Sequence, residues 1–211
     1  LWSKVIVMNE RNEAEEHLRV IRTLMERATI YRAVSAPTAL VGGMLAVVIA
    51  TGSLMWLRNH PRSTAVPHFA LWWILALCIT SAANTFYLWR AARLRGEPLF
   101  SSSLRLAVRA LFPPCLTAAV ISLPSILAGR DSHLLAIVWS AFYGLALLAT
   151  AHFSPRSLVV LGWSFLLAAL FALAANHACY PKYIGAEWLM GITFGLFHLV
   201  YAVAAWPRKT A

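Results

Sequence analysis

The chain has 211 residues, 60% hydrophobic and 12% charged, with 18 Lys and Arg against 8 Asp and Glu and a formal net charge of +10. Ordinary soluble domains are about 45–50% apolar and about 25% charged, so this composition excludes a soluble globule and a disordered tail, and 3 cysteines exclude a disulfide scaffold. The basic residues fall between long apolar runs, which gives them a role in membrane topology and not in nucleic-acid binding. The reading is an all-α polytopic bundle of six transmembrane helices preceded by a cytoplasmic amphipathic helix.

Leu1–Val7 has neither a cleavage site nor a long apolar core and does not read as a secretory signal. Met8-Asn9-Glu10-Arg11-Asn12 is polar and ready to start a helix, so Met8 is the expected start of the protein. From Asn12 to Ala33 the pattern is amphipathic. Asn12 and Glu15 form a capping-box pair, and Leu18, Ile21, Met25 and Ala28 recur at helical spacing. Glu15/Arg19 and Arg22/Glu26 add i,i+4 charge pairs. Residues 12–33 are expected to lie in the membrane interface, to pack on the protein's own loops, or to contact a protein partner. The domains are then 1–34 as an N-terminal cytoplasmic unit, 35–207 as the transmembrane domain and 208–211 as a short cytoplasmic tail.

A hydrocarbon core of about 30 Å needs roughly 20 apolar residues per helix. Six segments qualify: Thr38–Leu57, Ala70–Trp89, Leu104–Leu127, Leu134–Phe153, Ser157–Asn176 and Ile184–Trp206. Arg58-Asn59-His60-Pro61, Gly96-Glu97-Pro98, Gly129-Arg130-Asp131-Ser132 and His152-Phe153-Ser154-Pro155 supply the turns, with Ser154 and Pro155 reading as a cap and first helical residue. Fourteen of the basic residues lie on the side that holds the N-terminal segment, the second loop, Arg156 and the tail; Arg58, Arg62, Arg130 and Lys182 lie on the other. The positive-inside rule then places both termini in the cytoplasm, and the tryptophans and tyrosines near the span ends agree with the boundaries. The compartment expected is the bacterial cytoplasmic membrane.

Close helix packing is expected at Gly191 and Gly195, a GxxxG in the sixth span, and along Gly42/Ala46/Ala50 and Ala168/Ala172/Ala175. Such a motif serves either the monomer's own interior or a homo-oligomer. Pro113, Pro114 and Pro124 predict a bent or interrupted third span, since each removes a backbone donor. Spans one to three and four to six show no convincing repeat, which disfavours the inverted-repeat transporter architecture.

The acidic residues weigh most on function. None of the 8 falls in the middle of a span, although Glu187 stands one turn into the last. Ion-coupled pumps depend on buried ionisable groups, so that class is disfavoured. No phosphate-binding loop, zinc-protease helix or nucleophile elbow occurs, and neither an enzyme activity nor a cofactor is expected. His198, in the sixth span, is a weak haem-ligand candidate or a neutral ring bonded to a neighbouring hydroxyl. His60, His68, His133, His177 and Cys179, with Asp131 and Glu187 nearby, are weak metal candidates on the outer side. Arg90, Arg93, Arg95, Arg105 and Arg109 set topology and are placed to meet anionic lipid headgroups.

The string His17-Leu18-Arg19-Val20-Ile21-Arg22-Thr23-Leu24-Met25-Glu26-Arg27 running into Ser35-Ala36-Pro37 resembles small bacterial six-helix integral membrane proteins of unassigned function. So do Ser154-Pro155-Arg156-Ser157 and Gly191-Ile192-Thr193-Phe194-Gly195-Leu196-Phe197-His198. The resemblance implies a bacterial inner-membrane protein and carries no functional residue with it. The expected function is that of a non-enzymatic accessory or regulatory component. A carrier or channel for a neutral or apolar solute, lined by the third span, is the alternative, and a metal or haem protein the third.

Overall fold

The computed structural model of the chain describes residues 15–21, 36–60, 65–96, 102–129, 131–178 and 185–206. Among these it is all-α, 90% helical and without strands, and six helices are long and apolar enough to cross a membrane. They are α1 (Ala36–Leu57), α2 (Ala65–Arg95), α3 (Ser102–Leu127), α4 (Ser132–Ala149) and α5 (Arg156–Ala178), followed by the composite span α6 (Ala186–Ala204). Residues 15–21 are helical with every side chain exposed. The Met8 start, the remainder of residues 12–33 and the tail at 208–211 lie outside the described residues.

Local chemistry explains where the spans end. α2 begins five residues before the expected Ala70, because Pro67 fits the first turn, where its missing N–H costs nothing. It also runs on through Arg95, over residues that favour helix. α4 stops at Ala149 rather than Phe153: Thr150 Oγ1 donates to the Leu147 carbonyl at 2.7 Å, and Ser154 Oγ donates to Thr150 Oγ1 at 2.8 Å. At its other end Asp131, at φ 48°, accepts from the backbone N–H groups of His133 and Leu134 at 3.1 Å each. Asp is one of the few residues that tolerates this left-handed conformation, and its carboxylate suits the N-terminus of a helix.

α1, α4, α5 and α6 form the centre, with α2 against α1 and α3 against α4. One cluster of buried residues, around Phe69, Trp73, Leu135 and Met190, lies toward the end that holds His60. Another, around Leu147, Leu158, Leu161, Phe165 and Tyr201, lies toward the end that holds Arg156. Phe194 packs against both. In lipid such packing, rather than the expulsion of water, holds helices together. The GxxxG of α6 is turned to α1: a Cβ on Gly191 would stand 3.1 Å from Ala50 Cβ, one on Gly195 2.8 Å from Val47 Cγ2, and one on Gly43 3.1 Å from the Gly195 carbonyl. Both glycines of the motif therefore serve an interior contact.

α3 requires a correction. It continues as α-helix through Pro113, Pro114 and Pro124, so of the bent or interrupted span expected there, the interruption does not occur. In a helix surrounded by lipid the alternative to a local loss of hydrogen bonds is exposure of several backbone groups, which costs more. α3 is also the least buried of the six spans, with Phe112, Leu116 and Val120 exposed around the prolines. That segment faces outward from the bundle.

Candidate functional site

The polar side chains inside the bundle gather around α6. Its middle, Gly191–Phe197, is π-helical, between α-helical pieces at Ala186–Met190 and His198–Ala204. π-helical turns widen the backbone ring to an i→i+5 bond and occur most often at functional positions. Thr193, within this segment, is fully buried; its hydroxyl donates to the Leu189 carbonyl at 2.8 Å and lies 3.2 Å from Ser140 Oγ on α4. Just past the segment, His198 Nε2 lies 2.9 Å from the Tyr143 hydroxyl. Its Nδ1 is shielded on the side of the Thr193 and Phe194 carbonyls. This arrangement suits a neutral ring protonated on Nδ1, with Nε2 accepting the phenolic O–H.

Aromatic rings enclose the pair. Phe194 stacks on His198 at 6.1 Å and 15°, and Phe165 meets Tyr143, Phe194, Phe197 and His198 at 4.8, 4.9, 5.7 and 5.4 Å. From Phe194 the line of rings continues through Trp73 to Phe69 and Trp139. Trp139 Nε1 donates to Ser122 Oγ at 2.7 Å, and that hydroxyl donates to the Ala118 carbonyl at 2.6 Å. Ser122, Ser140, Thr193 and the Tyr143 hydroxyl are thus engaged with one another, with Trp139 or His198, or with helix carbonyls, whereas Glu187 is a buried carboxyl and Trp73 Nε1 is buried without a hydrogen-bond partner among the described residues. His198 has Nε2 engaged by Tyr143, while Nδ1 is likewise buried without a hydrogen-bond partner among the described residues.

No protein-family model, curated protein or solved structure matches the chain. Its site must be read from geometry.

At the His60 end, two of the metal candidates come together around a tryptophan. Trp56 is sandwiched between His60, at 4.0 Å and 9°, and His68, at 3.6 Å and 4°. His60 Nδ1 donates to the Trp56 carbonyl at 2.9 Å. Trp72 Nε1 donates to His68 Nε2 at 2.8 Å, so the neutral His68 ring carries its proton on Nδ1, 3.5 Å from Ser53 Oγ. Both nitrogens of His68 face a protein group, and the rings are separated by an indole rather than converging on a point. His133 stands apart in the first turn of α4, with Nδ1 buried. His177 is in the last turn of α5, while its side chain and all of Cys179 lie outside the described residues. Among the described residues no three of His, Cys, Asp and Glu converge as metal ligands.

At the Arg156 end, Arg90 and Arg93 near the close of α2 and Arg105 and Arg109 near the start of α3 are exposed. The Arg93 guanidinium lies over the Trp89 ring, 5.0 Å from its centre. The side chain of Arg95 lies outside the described residues.

The Trp56/His60 and His68/Trp72 pairs share the i,i+4 spacing that brings helix neighbours together, a signal present in the sequence that the metal reading passed over. The Tyr143–His198 and Ser140–Thr193 pairs join different helices, and no spacing announces them.

Proposed function

We propose that the protein is a non-enzymatic, multi-pass component of the bacterial cytoplasmic membrane with an accessory or regulatory role, both termini lying in the cytoplasm. The observation that carries this reading is the use made of the hydroxyl groups inside the bundle. The hydroxyls of Ser122, Ser140, Tyr143 and Thr193 are absorbed in helix-to-helix or helix-to-carbonyl bonds, the Tyr143 hydroxyl with His198 Nε2, beside rings packed at 4.8–6.2 Å. A transport path or reaction centre needs such groups presented to a solute. The outward placement of the α3 prolines further weakens the carrier reading that depended on them.

The contact element in this reading is the N-terminal segment. Its helical residues 15–21 expose Leu18 and Ile21, at 65% and 52%, three positions apart and so on one face. Removal of residues 8–34 should abolish co-purification of protein partners from mild detergent while all six spans still insert. An unchanged set of partners would reject the proposal. The charge distribution supports the orientation, and a fluorescent protein fused after Ala211 should mature in the cytoplasm; a dark fusion at normal expression would overturn that part alone.

A further inference from the structure

The described arginines of α2 and α3 at the Arg156 end form a pattern that topology alone does not require. α2 is 31 residues long, about 46 Å at the helical rise, against a hydrocarbon core of about 30 Å. Its apolar run closes at Trp89, an aromatic residue of the kind that marks the headgroup boundary. Phe86, 5.9 Å from Trp89, lies one turn deeper, and both rings are exposed. Arg93 follows at i+4, and its guanidinium is laid back over Trp89 toward the membrane rather than extended into water. The face therefore reads, from acyl depth outward, as ring, ring, guanidinium.

α3 repeats the boundary. Arg105 and Arg109 are four residues apart, exposed, and lie in the first two turns of the third span, Leu104–Leu127. Among the described residues no carboxylate pairs with Arg93, Arg105 or Arg109. A guanidinium at this depth can present its fork of donors to phosphate oxygens, and α2 and α3 touch one another.

We propose that these two faces bind anionic glycerophospholipid, Arg93 on α2 and Arg105 and Arg109 on α3 each offering donors to headgroup phosphate, with Phe86 and Trp89 lining the upper acyl chain. The inference goes beyond the accessory reading and does not depend on it. Positive-inside topology needs only charge on one side. A lipid site needs preference among lipids and a contribution from Trp89.

The test uses the full chain purified in nonionic detergent and presented with equal amounts of phosphatidylglycerol and phosphatidylcholine, with retained lipid counted by native mass spectrometry. Phosphatidylglycerol should be retained roughly tenfold over phosphatidylcholine. The R105Q/R109Q pair should bring the ratio close to unity, whereas R105K/R109K should keep most of it. W89L, which leaves every charge in place, should lower the ratio roughly threefold, and it supplies the test if the glutamine pair does not fold. Equal retention of the two lipids by the wild type would overturn the proposal. So would an unchanged ratio in both R105Q/R109Q and W89L. Displacement of the lipid by millimolar glycerol 1-phosphate would overturn it in favour of a soluble anion.

Discussion

Gly144 on α4 and Gly162 on α5 face each other so closely that Gly144 has no room for a methyl group and Gly162 has little. A Cβ on Gly144 would stand 2.8 Å from the Gly162 carbonyl oxygen and 2.9 Å from the Leu166 nitrogen; one on Gly162 would stand 3.1 Å from the Gly144 carbonyl. The obstacles to Gly144 are backbone atoms, so the helices must part to admit the methyl. Gly144→Ala should destabilise the bundle by about 1–3 kcal/mol, the range for overpacking a tight interior. A methyl group on Gly52 would meet nothing within 4 Å, so Gly52→Ala should be neutral or slightly stabilising through helix propensity. Thermal unfolding in one detergent, with the two variants side by side, checks both; an equal loss from each would contradict the crossing.

Tyr143 and His198 join α4 to α6 by one hydrogen bond of 2.9 Å within a shell of rings. Tyr143→Phe keeps the ring contacts and removes the hydroxyl. Interhelical hydrogen bonds in membrane proteins average about 0.6 kcal/mol and reach about 1.7, and this one is enclosed, so a loss of about 1 kcal/mol is expected. His198→Phe should cost a similar amount, and the double variant less than the sum. Additive losses in the cycle would show that the bond contributes no coupling.

The imidazoles around Trp56 lead to a prediction about metal. His68 has Nε2 occupied by the Trp72 N–H and Nδ1 facing Ser53, and an indole separates its ring from that of His60. Zinc added to the purified chain should therefore leave the thermal midpoint unchanged. His68→Leu should instead be felt by the tryptophans, since it removes a stacked ring from Trp56 and the acceptor from Trp72. Ultraviolet resonance Raman spectra should show loss of one strongly hydrogen-bonded indole relative to the wild type. Zinc bound at one equivalent, and abolished in His68→Leu, would reverse the assignment.

The spans were legible in the sequence because lipid imposes a length and a composition on each helix, and both are local properties. The ends of α2 and α4 were less so: Pro67 and Thr150 act through backbone hydrogen bonds that compete with hydropathy over a few residues. The inward turn of Gly191 and Gly195 required knowledge of which helix lies opposite, since the motif fits an interior contact and an intermolecular one equally well. Pro113 and Pro114 left a bend and an interruption equally open because proline signals only a missing donor, and the helix runs on without interruption despite that loss. The π-helical segment of α6 was least visible. The bonds of Thr193 to Ser140 and of His198 to Tyr143 that flank it cross between helices, and only its glycines at 191 and 195 leave a local trace.

Ser140 and Thr193 supply the last prediction, which bears on that segment directly. Both are fully buried, 3.2 Å apart, and the Thr193 hydroxyl also bonds the Leu189 carbonyl at 2.8 Å, one turn back. Ser140 has Met190 Sδ as its other neighbour, at 4.0 Å, a weak acceptor. Thr193→Val preserves shape but strands Ser140 and withdraws a donor from the carbonyl, so it should cost about 1–2 kcal/mol, the range for a buried polar group left unsatisfied. Ser140→Ala removes one partner and leaves Thr193 its carbonyl bond, so its cost should be smaller. With both changes no hydroxyl remains to be satisfied, and the double variant should be no worse than Thr193→Val alone. Thermal unfolding gives this ranking. Hydrogen exchange over residues 191–197 gives the second readout: faster exchange in Thr193→Val than in Ser140→Ala is expected if the hydroxyl supports the wide helical turn, and equal rates at unequal stability would separate the bond from the backbone geometry.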